Sequence, residues 1–380
     1  MKKKLCLFLF ALLALNAVLL LPFARKNVKA FSTSAKAMCV LEKESGRIIC
    51  AKNENEKLPM ASTTKIVTAI TVIENCKDLK QVITVDDKAI GVEGTSIYLK
   101  KGEQISVEDL LYGLMLRSGN DSATALAIHV AGSIEDFALM MNDTAKKVGA
   151  TNSNFANPHG LDDPNHYTTA YDLAKITAYA LKNPIFKNLV STKRHVIEKT
   201  NVCEEKRYLK NKNKLLNSLD GCCGVKTGFT SRAGRCLVSA CERGNECYVC
   251  VVLNCGPMFE ESSDLLNQSF EIVDYKKIID KSKEIVGEYS ADNENGKLFL
   301  YTDQDFYYPL KPGESEKLKL TYNVRLDNAK QGDEVGEIQI FLDKHLIKTV
   351  KLFTMNKIDK LIDSNTLQIS EVLWEETNEN

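Results

Sequence analysis

The chain is predicted to be α+β: an antiparallel sheet with helices packed on it, followed by a small all-β domain. Three observations predict this. The first 280 or so residues begin with strand-like runs, turn helical, and close on two apolar runs joined by a tight turn, so both ends supply strands to one sheet. The helical middle carries apolar residues at helical spacing, bounded by cap and stop residues. After Ser290 the period changes to two, as in KLKLTYNV (317–324) and EIQIFLD (337–343).

Taken in order, residues 1–30 are read as a signal peptide. MKKK precedes an apolar run from Leu5 to Ala24, and small-x-small sites follow at Val28-Lys29-Ala30 and Ala35-Lys36-Ala37, so cleavage falls after Ala30 or as late as Ala37. The rival is an uncleaved anchor, because the run is long enough to span a bilayer. Either way the body lies outside the cytoplasm. Residues 38–53 form two strands about a turn at Glu44-Ser45-Gly46. A helix follows Pro59, with Ser62, Thr63 and Thr64 all competent to cap it and Ile66, Val67, Ile70 and Ile73 on its apolar face. Residues 81–104, broken by glycines, read as short strands and loops. Helices are expected at 106–117 with Ser106 as cap, at 120–131, at 134–148 with Gly149 as stop, and from a cap at Thr168 or Thr169 to Ala180. Runs 234–242 and 247–255 form a hairpin about Arg243-Gly244-Asn245, and 261–284 reads as helix. The first domain is thus placed at 38–278, ADNENG (291–296) is a linker-like turn segment, the β domain spans 290–356, and 357–380 is a polar acidic tail.

Composition excludes some classes. The chain has 380 residues, with 50 basic and 50 acidic side chains and no basic stripe, so a nucleic-acid partner is not expected. Of 12 cysteines, Cys6 lies in the leader; the remaining odd number leaves at least one thiol unpaired in an exported protein. The one C-x-x-C, Cys247–Cys250, sits in ECYVCVVLNC, a strand whose residues three apart point to opposite faces. A zinc site is the rival reading, but these cysteines are read as small packing hydrophobes, and no metal or cofactor is expected.

Three short motifs carry chemistry. Ser62 and Lys65 stand three apart at a helix start, so the ammonium can reach the hydroxyl, with the helix N-terminus nearby. Ser118-Gly119-Asn120 puts a hydroxyl and an amide on a tight turn between two helices. Lys226-Thr227-Gly228 puts an ammonium and a hydroxyl on a strand edge, with Gly228 leaving room for a ligand. Each alone is a cap, a turn or a strand end. Together, in this order, they are not readily chance.

S-x-x-K, S-x-N and K-T-G in that order resemble the signature of the penicillin-recognising serine acyl-enzymes. ASTTKIVTA, LLYGLMLRSGNDSATALA, FANPHGLDDPNHYTTAYDLA and GVKTGFTSRAGRCLV resemble segments of the low-molecular-mass D-alanyl-D-alanine carboxypeptidases, including the sporulation-type enzymes of Firmicutes. The likeness covers about residues 38–275 and, more loosely, the β domain. It implies a β-lactamase/transpeptidase-like catalytic domain that removes the terminal D-alanine from peptidoglycan pentapeptides, with stem peptides as substrate and β-lactams as covalent inhibitors. Ser62 is then the acylated nucleophile, Lys65 its proton acceptor, Ser118 a relay to the leaving nitrogen, and Asn120 a holder of the substrate amide. Lys226 and Thr227 bind the terminal carboxylate, Gly228 leaves room for the substrate to pair with the backbone, and the oxyanion faces backbone N–H groups at Ser62 and about Phe229.

Rival readings are a β-lactamase, a transpeptidase or endopeptidase of the same fold, and a catalytically silent wall-binding protein. The β-lactamase is disfavoured because no glutamate followed by leucine-asparagine lies between Asn120 and Lys226. A Ser-His-Asp hydrolase using His159 or His166 is disfavoured by the lack of a G-x-S-x-G elbow, and both histidines are read as loop-fixing or rim residues. The family commonly uses a C-terminal amphipathic helix as a membrane anchor. ISEVLWEETNEN is acidic, so weak or no membrane association is expected there.

Overall fold

A computed structural model describes residues 31–291, 294–358, 362–363 and 367–369. The leader and most of the tail lie outside the described residues.

Among the described residues, the first domain is built on an antiparallel sheet of order β2-β1-β9-β8-β7. Its strands are β1 (Ala37–Glu42), β2 (Ile48–Lys52), β7 (Cys222–Thr230), β8 (Gly234–Arg243) and β9 (Glu246–Leu253). The amino-terminal hairpin thus docks on the carboxy-terminal one, with Ala37 opposite Leu253 and Glu42 opposite Tyr248. Helices α1 (Lys65–Asn75), α2 (Val107–Tyr112), α3 (Asn120–Ala131), α4 (Ile134–Lys147), α5 (Ala170–Leu181) and α6 (Pro184–Ser191) come from the middle of the chain, along with short pairs β3 (Val82–Thr84) with β4 (Gln104–Ser106) and β5 (Arg194–Ile197) with β6 (Arg207–Lys210). The short helix α7 is Leu215–Ser218, and α8 is Met258–Ile272.

The sheet is covered on both faces, which explains why β8 and β9 are nearly continuous runs of apolar residues and not alternating ones. Val249, Val251, Val238 and Ala240 join the core formed with α1, α5 and α6. The residues between them turn to α8, where Tyr248 meets the edge of Phe270. Caps follow the expected chemistry: Ser106 accepts from the Asp109 N–H, and Thr169 from the Asp172 N–H.

Four expectations need correction. The helix read over 261–284 ends at Ile272, and Asp274–Ile279 is a strand, β10, paired with β13 (Phe306–Leu310). Ile278 and Ile279 face the second core and not the first, so period-two burial wins over the helical pattern at that point. ADNENG is not a linker at the edge of the β domain but lies within it, since Ala291 in β11 (Ile285–Ala291) pairs with Glu294 in β12 (Glu294–Tyr301), which agrees with the turn and not with the linker. The stretch after residue 356 is not all tail, because β17 (Ile362–Asp363) pairs with β14 (Leu318–Leu326) and β18 (Leu367–Ile369) pairs with β11. Ser62, Thr63 and Thr64 do not cap α1: Ala61–Thr64 is a turn of 3-10 helix, and Thr63 and Thr64 donate back to the Met60 and Ala61 carbonyls at 2.7 and 2.8 Å.

The second domain is built, among the described residues, on a seven-stranded antiparallel sheet in which β14 pairs with β15 (Glu334–Leu342), and β16 (His345–Thr354) lies at the centre between β15 and β12. It meets the first domain through Arg47, which follows β1. That guanidinium donates to the Pro309 carbonyl at 2.6 Å, forks onto Glu314 at 2.6 and 2.7 Å, and lies over the Tyr308 ring.

Candidate active site

The sequence places Ser62 one residue after a strained position. Ala61 has φ of 50°, in the left-handed region that costs a non-glycine residue about 1–2 kcal/mol. Ser118 (φ 67°) and Tyr98 (φ 60°) share this conformation. Such backbones persist only where surrounding structure over-determines them, and they concentrate at functional sites. Ser118 ends a five-residue π-helix, Gly113–Arg117, so the S-x-N turn starts from an irregular helix end.

The three motifs converge. The Lys65 ammonium is fully buried, 3.1 Å from Ser62 Oγ, 2.7 Å from Asn120 Oδ1 and 2.6 Å from the His159 carbonyl. Of these partners, the two oxygens of Asn120 and His159 can only accept. A neutral amine has two N–H donors and one lone pair. With both donors committed to Asn120 and His159, the lone pair is left toward Ser62, the one partner with a proton to give. Burial pushes the Lys65 pKa well below its ordinary value, and the charges of Lys226 and then Lys212 add to this. The site therefore favours the protonation state that the hydrogen bonds require of a base.

The strand β7 passes against the turn that carries Ser62. A Cβ on Gly228 would lie 2.9 Å from the Met60 carbonyl and 3.1 Å from the backbone nitrogens of Ser62 and Thr63. Only glycine lets the strand approach the Ser62 N–H so closely. Lys226 on the same strand is 1% exposed, and burial, followed by Lys212, lowers its pKa to about 7. Thr227 is half-buried, and the Phe229 side chain is 64% exposed at the rim. Ser118 and Asn120 are each 4% exposed.

Neither histidine is a base for Ser62. His166 is 4% exposed; its Nδ1 accepts from the Ala156 N–H at 3.0 Å, so its proton sits on Nε2, 2.8 Å from Thr64 Oγ1. Burial pushes its pKa down to about 4. It ties the polar loop to the turn that carries Ser62, which agrees with a loop-fixing role and not a rim position. His159 contributes its backbone carbonyl, and burial takes its side chain down to about 3.

Sequence reasoning missed three contributors. Asp121, 1% exposed, accepts from the backbone N–H groups of Ile97 and Leu99 and from Ser96 Oγ, lashing residues 96–99 across the Ser118 turn. Its signal, an acid in the first turn of an apolar helix, was indistinguishable from a dipole-compensating residue. Lys212 sits in KNKNK and reads as a solvated charge. The His159 carbonyl carries no side-chain signal at all.

Residues 24–256 match the family model for D-alanyl-D-alanine carboxypeptidase. The chain belongs to that family. Residues 274–360 match the C-terminal domain of penicillin-binding protein 5. The carboxypeptidase DacC of Escherichia coli is 32% identical over 378 residues, covering 93% of this chain and 90% of that protein. DacF of Bacillus subtilis is 27% identical, covering 85% of each. Among solved structures, penicillin-binding protein 5 of Haemophilus influenzae superposes with a TM-score of 0.70 at 28% identity, covering 86% of this chain and 98% of its own. A Streptomyces K15 DD-transpeptidase mutant, with a TM-score of 0.60 at 29% identity, covers 63% of this chain and 99% of its own, so that protein lacks most of a counterpart to the β domain.

In this carboxypeptidase, Gly160 tests how tightly the loop must seat on the turn that carries Ser62. It has φ of 88°, and a Cβ there would fall 2.0 Å from the Ala61 carbonyl oxygen. Gly160→Ala is expected to cost about 2 kcal/mol or more, from left-handed strain plus displacement of that carbonyl, and to slow acylation by penicillin. Gly91→Ala, with φ of 70° and open space around the Cβ, carries the strain alone. Thermal melts and labelling rates of the two variants make the check: equal losses in both would mean that the contact with Ala61 does not matter.

Proposed function

We propose that Ser62 is the acyl-ester nucleophile and Lys65 the base that deprotonates it. The enzyme is a serine-type D-Ala-D-Ala carboxypeptidase acting on peptidoglycan pentapeptides, and it binds β-lactams. The observation that supports this assignment best is the Lys65 amine with two acceptor-only partners and one hydroxyl partner. In the proposed sequence Ser62 Oγ attacks the carbonyl of the terminal D-Ala–D-Ala bond as its proton passes to Lys65. The oxyanion is held by backbone N–H groups at Ser62 and Phe229. The proton moves through Ser118 to the leaving nitrogen, the C–N bond breaks, and D-alanine departs. Water then adds to the ester carbonyl as its proton passes to Lys65, the bond from the carbonyl carbon to Ser62 Oγ breaks as Lys65 returns that proton to Oγ, and the shortened peptide leaves as its carboxylate. Asn120 orients the substrate amide as well as Lys65. Lys226 and Thr227 receive the terminal carboxylate, with Gly228 leaving space for the backbone to pass.

The pH profile tests the two lysines. The acid limb of kcat/KM arises as Lys65, depressed by burial, loses its proton and becomes a base. The basic limb arises above about 7, as free Lys226 loses the charge that attracts the carboxylate. A bell is therefore expected for a D-Ala–D-Ala peptide. Its C-terminal amide should keep the acid limb and lose the basic one. Identical basic limbs on both substrates would remove Lys226 from carboxylate recognition.

The leader suggests that the enzyme works on the outer side of the cell membrane, cleaved and loosely held or tethered by residues 5–24. Among the described residues, no single helix is long and apolar enough to cross a membrane. N-terminal sequencing of the membrane and soluble fractions separates the two forms; a mature form starting near Phe31 yet firmly membrane-bound would contradict both.

A further inference from the structure

At the end of the sheet where β7 begins, three donor side chains meet. Cys223 sits in a β-bulge, where Cys222 pairs with Cys241 and Gly224 pairs with Ala240, so Cys223 is the extra residue. On the neighbouring pair, Glu242 in β8 stands directly opposite Cys247 in β9. Directly opposed residues share a face, and this is the face of Val249, Val251 and Ala240, against which α5 and α6 pack. The two thiol sulfurs and a Glu242 carboxylate oxygen all lie within 4.8 Å of one another. Nothing in the acyl-transfer chemistry uses them.

We propose that Cys223, Cys247 and Glu242 bind a zinc ion that clasps β7, β8 and β9 together. The donor chemistry selects the metal class. Two thiolates and a carboxylate suit a borderline-soft divalent ion and not calcium or magnesium, which want oxygen cages. Tetrahedral zinc at about 2.3 Å from each sulfur holds the sulfurs about 3.8 Å apart, which small side-chain rotations achieve from the present spacing. Water completes the tetrahedron.

The surroundings fit this charge pattern. Zinc with two thiolates and one carboxylate leaves one net negative charge. Lys187 from α6 lies 2.6 Å from Glu242 Oε2, and a carboxylate has a second oxygen free to ligate. Lys43 donates its backbone N–H to the Cys247 carbonyl, while its ammonium is paired with Glu44 at 3.1 Å. Lys187 is thus the outer partner that orients a ligand and balances its charge. The C-x-x-C pair does not form the site. Cys250 points to the opposite face from Cys247, as expected for residues three apart on a strand. Cys223 and Glu242, distant in sequence, take the place that Cys250 leaves. The clasp lies three residues along β7 from Lys226, so it steadies the strand that carries the carboxylate-binding motif, apart from the reacting atoms.

The test uses untagged protein in reducing buffer, loaded with zinc(II), desalted and measured for metal by mass spectrometry. The wild type should retain stoichiometric zinc. Cys223→Ser/Cys247→Ser should lose it and Glu242→Gln should hold it more weakly, while Cys250→Ser keeps it. Cobalt(II) in the wild type should give a near-ultraviolet thiolate-to-metal charge-transfer band that the double variant lacks. Penicillin labelling at the wild-type rate shows that each variant is folded. If the double variant does not fold, the cobalt band of the wild type and the single Cys223→Ser variant decide. A wild type that retains no zinc, a cobalt form without the band, or a folded double variant that retains zinc overturns the proposal. So does a Cys223–Cys247 disulfide that, once reduced, binds no metal, which would make the pair a redox couple instead.

Discussion

Ser62→Ala is expected to abolish the covalent penicillin adduct and to lower carboxypeptidase turnover by on the order of 10⁶-fold, the scale on which loss of a serine nucleophile acts in other acyl-transfer enzymes. The fold should survive. Ser62 is half-buried, and the hydrogen bond it shares with Lys65 is worth about 1 kcal/mol net. Lys65 keeps Asn120 Oδ1 and the His159 carbonyl as partners, so no buried charge is orphaned. Intact-mass spectrometry after incubation with a β-lactam reads the adduct directly, and a melt alongside reads stability. An adduct of undiminished yield would mean that another residue is the nucleophile. A melt lowered by several degrees would mean that the hydroxyl also supports the strained Ala61 turn.

Much of the site was legible because acyl transfer needs particular residue types at short spacings. Ser62 and Lys65 are neighbours on one helical turn, Ser118 and Asn120 share one turn, and Lys226 to Gly228 share one strand. Each triplet is local, so the sequence displays it. The links between triplets are not local. Lys65 meets Asn120 across 55 positions and His159 across 94, and the second of these is a backbone carbonyl. The fold shows the same division. The hairpin at 234–253 was visible in its apolar runs, and its pairing with β1 followed from the need to cover strand edges. The elements α6, β5, β6 and α7 escaped notice. They are short, and β5 and β6 expose Val196 and Tyr208, so their pattern resembles a polar loop. The strand Asp274–Ile279 was absorbed into a helix because DYKKII has apolar residues at positions compatible with either period, and only the second core decides between them.

Lys226→Ala is expected to produce two separable losses. Its ammonium is 1% exposed, and the charge-assisted contact it would make with a terminal carboxylate is worth about 2–4 kcal/mol in the transition state, or roughly 30- to 1,000-fold in kcat/KM. That loss should fall on peptides ending in a free carboxylate and spare the C-terminal amide. The second loss comes through Lys65. Lys226 is the leading charge that holds the Lys65 pKa down, after burial itself. Removing it lets that pKa rise, so Lys65 stays protonated to a higher pH and the acid limb moves to the alkaline side. Raising the pH should then restore turnover of the amide and leave the peptide acid impaired. The basic limb for the acid substrate should vanish, because the group whose deprotonation caused it has gone. Stability should hold or improve, since a desolvated cation facing Lys212 is taken out of the cleft. The measurement is kcat/KM against pH for both substrates in wild type and variant. An acid limb that does not move would show that Lys226 leaves the base unaffected, and a loss equal on both substrates at every pH would show that it does not read the carboxylate.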